Sequence, residues 1–97
     1  MGPAQVTLAA TNVASFSATL NGALNPFGRT TSVSFQYGTT TSYGHTTANQ
    51  TKTGNAYQNL ADNISGLSAS TTYHFRIVAT NTAGTRSGGD KTFRTTP

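Results

Sequence analysis

Not one cysteine occurs among the 97 residues, which excludes disulfide staples, thiolate metal sites and a cysteine nucleophile. The chain must therefore be held together by packing alone. Tryptophan is absent too, and only 8% of residues are charged. Asp62 and Asp90 are the only carboxylate side chains, so chemistry that needs several acids is closed. No apolar run approaches the roughly 20 residues of a membrane-spanning helix. The N-terminus has no signal-peptide pattern, so the export signal of a secreted parent is expected outside this segment. Apolar residues make up 34%, below the usual share. Disorder, however, requires low hydrophobicity together with high net charge, and a formal charge of +4 does not supply it.

What fills the chain instead is threonine, serine, asparagine and glycine. Threonine is β-branched: it favours extended backbone and gives strands a polar outer face. Period-two alternation recurs in short runs separated by turn residues, as expected of a sandwich. Strands are predicted over 6–10, 16–24, 32–38, 43–48, 57–65, 71–81 and 91–95, seven in all. In the second, Phe16, Ala18 and Leu20 share the inner face; in the third, Val33, Phe35 and Tyr37 do. In the sixth, Tyr73, Phe75, Ile77 and Ala79 point inward and His74, Arg76, Val78 and Thr80 outward. The polar stretch 49–55 reads as an exposed loop, and so does 82–90 with its Ser87-Gly88-Gly89. Asn21-Gly22 is a hairpin signal, but three residues before Pro26 are too few for a partner strand, so Gly22 stays inside the second strand. Parity points Asp62 inward, which is costly for an unpaired carboxylate; either the strand bulges there or Asp62 finds a partner at the rim. Residues 5–95 form the expected domain, with 1–4 an added start and linker and 96–97 a linker stub.

Ile64-Ser65-Gly66-Leu67, then Thr71-Thr72-Tyr73 and Phe75, Ile77, Ala79 and Asn81, resemble the E-to-F strand region of fibronectin type III domains. Ser17-Ala18-Thr19-Leu20-Asn21-Gly22 resembles that family's second strand, and Phe35-Gln36-Tyr37-Gly38 its third. The resemblance implies an all-β, seven-stranded immunoglobulin-like sandwich. It also implies that Leu67 and Tyr73 form the tyrosine corner, the phenol ring entering the core while its hydroxyl meets backbone. Two departures stand out. Gly22 sits about where the family carries tryptophan, and Ala69 and Ser70 replace the proline and glycine of the corner turn. This form, with its Tyr-Gly-Thr-Thr-Thr-Ser-Tyr-Gly run after the third strand, is similar to modules of bacterial cell-surface proteins and secreted polysaccharide-degrading enzymes.

Candidate sites are few. Asp62, Asp90, His45 and His74 are the groups suited to acid or base work near neutral pH, and the predicted strands scatter them, so no catalytic residues are expected. The same count is too low for zinc or calcium, and no cofactor motif occurs. The best binding loop is Arg86, Ser87, Gly88, Gly89 and Asp90. Family members that bind integrins carry Arg-Gly-Asp there, and this chain does not. The best binding face is Gln36, His74, Arg76 and Arg94, a mildly basic outer patch. Tyr43, Tyr57 and Phe27 are candidate sugar-stacking aromatics, in separate segments. The six basic residues are unclustered, which argues against nucleic acid. The expectation is a monomeric, non-catalytic spacer or presentation module, extracellular or at the cell surface, with neighbouring domains of its own chain as partners. The alternative is a carbohydrate-binding or adhesive module whose partner is polysaccharide or protein; membrane insertion is not expected.

Overall fold

The computed structural model describes residues 4–97, so most of the expected N-terminal linker lies outside the described residues. Its segments are β1 (Ala4–Thr11), β2 (Ala18–Asn25), β3 (Thr31–Gly38), β4 (His45–Thr46), β5 (Gln50–Lys52), β6 (Gln58–Ile64), β7 (Thr72–Asn81), β8 (Gly84–Ser87) and β9 (Lys91–Arg94). All pairings are antiparallel. One sheet has the order β1-β2-β6; the other runs β4-β3-β7-β8, with β5 also on β3 and β9 also on β7. Because β4 and β5 share one edge and β8 and β9 the other, the nine segments behave as seven strands.

The core lies between the sheets. Alternation puts Leu20 and Leu24 of β2 opposite Val33 and Phe35 of β3 and Phe75, Ile77 and Ala79 of β7, all fully buried. The rings of Phe35 and Phe75 sit 6.5 Å apart and tilted, and Phe93 stacks on Tyr73 at 5.6 Å. Gly22 is inside β2, paired with Thr7 and Leu60. A Cβ there would lie 2.9 Å from Ile77 Cδ1 and 3.3 Å from Phe35 Cε1. The volume a tryptophan would occupy is taken by side chains of the facing sheet.

Several expectations are corrected. Phe16 is 64% exposed rather than inward. Residues 12–17 form a turn, with Asn12 at φ 50° and Phe16 O accepting from Leu67 N–H, so β2 starts only at Ala18. Residues 50–52 are a strand on β3, not part of a loop. The strand expected over 43–48 contracts to His45–Thr46, because Thr47 turns both its N–H and its hydroxyl onto the backbone of Phe35. Asp62 does point inward, opposite Leu20, but half-buried at the rim, where Gln50 Nε2 donates to it at 3.2 Å.

At the corner, Leu67 is buried and the Tyr73 hydroxyl accepts from Ser68 N–H at 2.8 Å. Thr95 braces the same corner: its hydroxyl accepts from Thr71 N–H and donates to Ser68 O. Ser70, where the family favours glycine, takes a left-handed φ of 53°. Tyr73→Phe keeps the ring and removes the acceptor of a partly buried N–H. Urea unfolding should show a loss of about 0.5–1.5 kcal/mol, and an unchanged midpoint would mean that the hydroxyl contributes nothing to the corner.

Candidate functional site

Strand parity places Gln36 of β3 and Arg76 of β7 opposite one another on the outer face of the larger sheet. Directly paired side chains on one face lie close enough to bond, and Arg76 Nε donates to Gln36 Oε1 at 2.8 Å. Arg76 Nη1 reaches Ser87 Oγ at 3.4 Å, and its guanidinium carbon lies 4.8 Å from the centre of the Tyr43 ring, a cation–π stack. The Tyr43 hydroxyl donates to Asp90 Oδ1 at 3.0 Å, and His74 Nδ1 lies 2.9 Å from Asp90 Oδ2. Gln36, Arg76, Tyr43, Asp90 and His74 thus form one connected network.

Two loops complete what the strands begin. The 39–44 loop folds back over the sheet: Tyr43 N–H donates to Thr40 O, and Tyr43 itself is held at φ 60°. Such a conformation is strained for a bulky residue and persists only where its surroundings impose it. Burial raises the pKa of Tyr43, helped by its hydrogen bond to Asp90 and that carboxylate's charge, with Arg76 opposing. The phenol therefore stays protonated and able to donate across the neutral range.

The binding loop expected over 86–90 is not a loop throughout. Arg86 and Ser87 belong to β8, where they pair with Ala79 and Val78. Gly88 continues the pairing through its N–H to Ile77 O, which leaves Gly89 and Asp90 as a short irregular step before β9. The chain reverses instead at Thr82 and Ala83, where Asn81 Oδ1 accepts from Ala83 N–H, the turn chemistry of asparagine.

His74 and Asp90, expected apart, meet; that reading is corrected by the step at 88–90, which swings Asp90 toward β7. The other two titratable candidates stay away from this pair. His45 stacks on Tyr37 at 5.2 Å, and Asp62 belongs to the opposite sheet. Arg94 shares the outer face, opposite Thr72, but makes none of the network's bonds. Tyr57, 61% exposed, and Phe27, 39% exposed, lie elsewhere and join no aromatic pair. A histidine fixed by a carboxylate at Nδ1 is half of a hydrolytic triad, yet among the described residues no hydroxyl bonds to His74 Nε2. A groove of about 390 Å³ on the outer face of the smaller sheet is lined by Leu8, Asn21, Gly22, Asn59, Leu60 and Ala61 among others, none of them ionisable. Among the described residues no cluster suited to a metal ion occurs, and no helix is long and apolar enough to cross a membrane.

No protein-family model and no curated protein matches the sequence. Solved structures do. The sensor domain of the anti-sigma factor RsgI4 from Pseudobacteroides cellulosolvens, in a short form, superposes with a TM-score of 0.74 at 20% identity, covering 99% of this chain and 96% of that one. The solution structure of the same sensor domain gives 0.73 at 19% identity, over 96% of this chain and 74% of that one. A domain of human fibronectin type III domain containing protein 3 gives 0.60 at 21% identity, over 100% of this chain and 89% of that one. The fold is that of a fibronectin type III domain. In fibronectin type III terms β4 with β5 makes one edge strand and β8 with β9 the other, so the network spans the outer face of β3 and β7.

Proposed function

We propose that this fibronectin type III-like chain is a non-catalytic spacer or presentation module of a larger extracellular or cell-surface bacterial protein. The observation that carries the reading is the path of the chain. It enters the sandwich at Ala4, paired with Asn25 at the far end of β2. It leaves beside the turn that precedes β2, where Thr96 N–H donates to Ala14 O and Ser15 Oγ donates to Pro97 O. Eight residues of strand, about 25 Å at 3.3 Å each, separate the two poles. A module so built holds its neighbours apart along its 43 Å long axis, and without cysteine to cross-link it relies on its packed core for stiffness. The fold is one shared with a sensor domain and with a fibronectin type III domain.

The reading is tested by placing the module between two rigid reporter domains and measuring their separation by small-angle scattering. The expected result is an extended particle in which the module adds about its 43 Å length. Reporters lying side by side would overturn it. A second reading, a binding or sensing module, is favoured by one specific observation: the ordered Tyr43 network on the outer face.

A further inference from the structure

We infer that Tyr43, Arg76 and His74 form a binding site for a pyranose sugar that carries a carboxylate, the repeating unit of a uronic-acid polysaccharide. The inference goes beyond the spacer reading and does not depend on it, since a spacer can carry such a site. Three observations support it.

The first is that the fold fixes an aromatic ring outside the core. Tyr43 is half-buried, strained at φ 60° and anchored through its hydroxyl to Asp90. Arg76 covers one face of the ring, and among the described residues no aromatic or cationic group covers the other. A half-exposed aromatic ring held in a fixed orientation suits the C–H face of a pyranose, and it loses little conformational entropy on binding.

The second is the supply of polar groups beside that ring. Arg76 has five N–H donors; one bonds Gln36 and one Ser87, leaving three. A guanidinium held in place by Gln36 is suited to bidentate capture of a carboxylate. Ionised Asp90 can only accept, so His74 Nδ1 is the donor in their contact. His74 Nε2 points away from that contact and is left to hydrogen-bond a sugar hydroxyl. Platform and polar partners are thus present together, and Asp90 organises two of them with both of its oxygens engaged.

The third is the balance of charge. Arg76 and Arg94 share this face with Asp90, whose two oxygens are both engaged by the network. A local excess of positive charge favours an anionic sugar over a neutral one. The surface is a sheet face rather than an enclosed pocket, which suits a polymer lying across it better than a small molecule.

The test is a titration of the isotope-labelled 97-residue chain with oligogalacturonate, and in parallel with a cello-oligosaccharide of the same length, followed by amide shifts. Saturable shifts centred on Gln36, Tyr43, His74, Arg76 and Asp90 are expected with oligogalacturonate, at least about tenfold weaker with the neutral sugar, and weakened by salt. Tyr43→Ala and Arg76→Gln should each weaken binding about tenfold or more, as aromatic and arginine anchors do. Tyr43→Phe, which keeps the plane and loses only the Asp90 bond, should retain most of the affinity and controls for a displaced loop. No saturable shift, shifts confined to another face, equal affinity for the neutral sugar, or unchanged binding by Tyr43→Ala would each overturn the inference. The scattering experiment on the spacer reading is indifferent to all of these outcomes.

Discussion

Gly38→Ala is expected to lift the 39–44 loop from the sheet and to cost about 2–3 kcal/mol of stability. A Cβ built at Gly38 would lie 1.6 Å from Tyr43 O and 2.5 Å from its carbonyl carbon. The colliding atoms are backbone, so no rotamer change relieves them. The turn is tied down by Tyr43 N–H to Thr40 O and by Ser42 N–H to Thr40 Oγ1, so it must move as a unit. With it Tyr43 leaves both Arg76 and Asp90. Urea unfolding reads the energetic loss, and the ring resonances of Tyr43 report the displacement. Gly44→Ala is the comparison. It sits at φ +103° with no atom within 4 Å of its Cβ, so only backbone strain of about 1–2 kcal/mol applies. If Gly38→Ala proved no worse than Gly44→Ala and left Tyr43 unshifted, the close approach would not be what places the loop.

That dependence of a ring on a distant glycine marks the limit of what the sequence could reveal. β3 and β7 were legible because each carries a full inward row, Val33 and Phe35 in one and Tyr73, Phe75, Ile77 and Ala79 in the other. Their outward partners Gln36, His74 and Arg76 followed from parity alone. β5 and β8 were not legible. Gln50-Thr51-Lys52 and Gly84-Thr85-Arg86-Ser87 have no apolar alternation, and they become strands only through ladder bonds to β3 and β7. Edge strands bury little, so nothing in their composition separates them from loops. Phe16 failed for the opposite reason: it continues the β2 pattern by one step, but the turn at 12–17 ends the strand before reaching it.

The site divides along the same line. Tyr43 was visible as an aromatic in a polar segment, yet its position over Arg76 depends on the fold-back of 39–44, which no local period encodes. Asp90 was visible only as the end of a glycine-rich run. Its contact with His74 depends on β8 and β9 pairing with the same strand while residues 88–90 step between them. Sequence periodicity reports which way a strand residue points. It carries no information on where an irregular segment places its side chain, and two of the network's five residues, Tyr43 and Asp90, come from irregular segments.

The regular half of the molecule sets the other large effect. Phe35→Ala should destabilise the domain by about 3–5 kcal/mol, a large share of the roughly 5–15 kcal/mol typical of a native domain. Phe35 is fully buried, pairs with Ile77 across β3 and β7, and tilts against Phe75. Its Cε1 also closes over Gly22 in the opposite sheet. In a module without tryptophan on β2, Phe35 and Ile77 fill from one side what the tryptophan would fill from the other, so truncating the ring opens a cavity with Gly22 as one wall. The neighbours cannot all collapse into it, because Ile77 is already 2.9 Å from where a Gly22 Cβ would sit. Phe35→Leu retains much of the volume and should cost less than half as much. Thermal or urea unfolding distinguishes the two variants. A loss below about 2 kcal/mol for Phe35→Ala would mean that the sandwich closes on its own without the ring, and that Gly22 is tolerated rather than complemented.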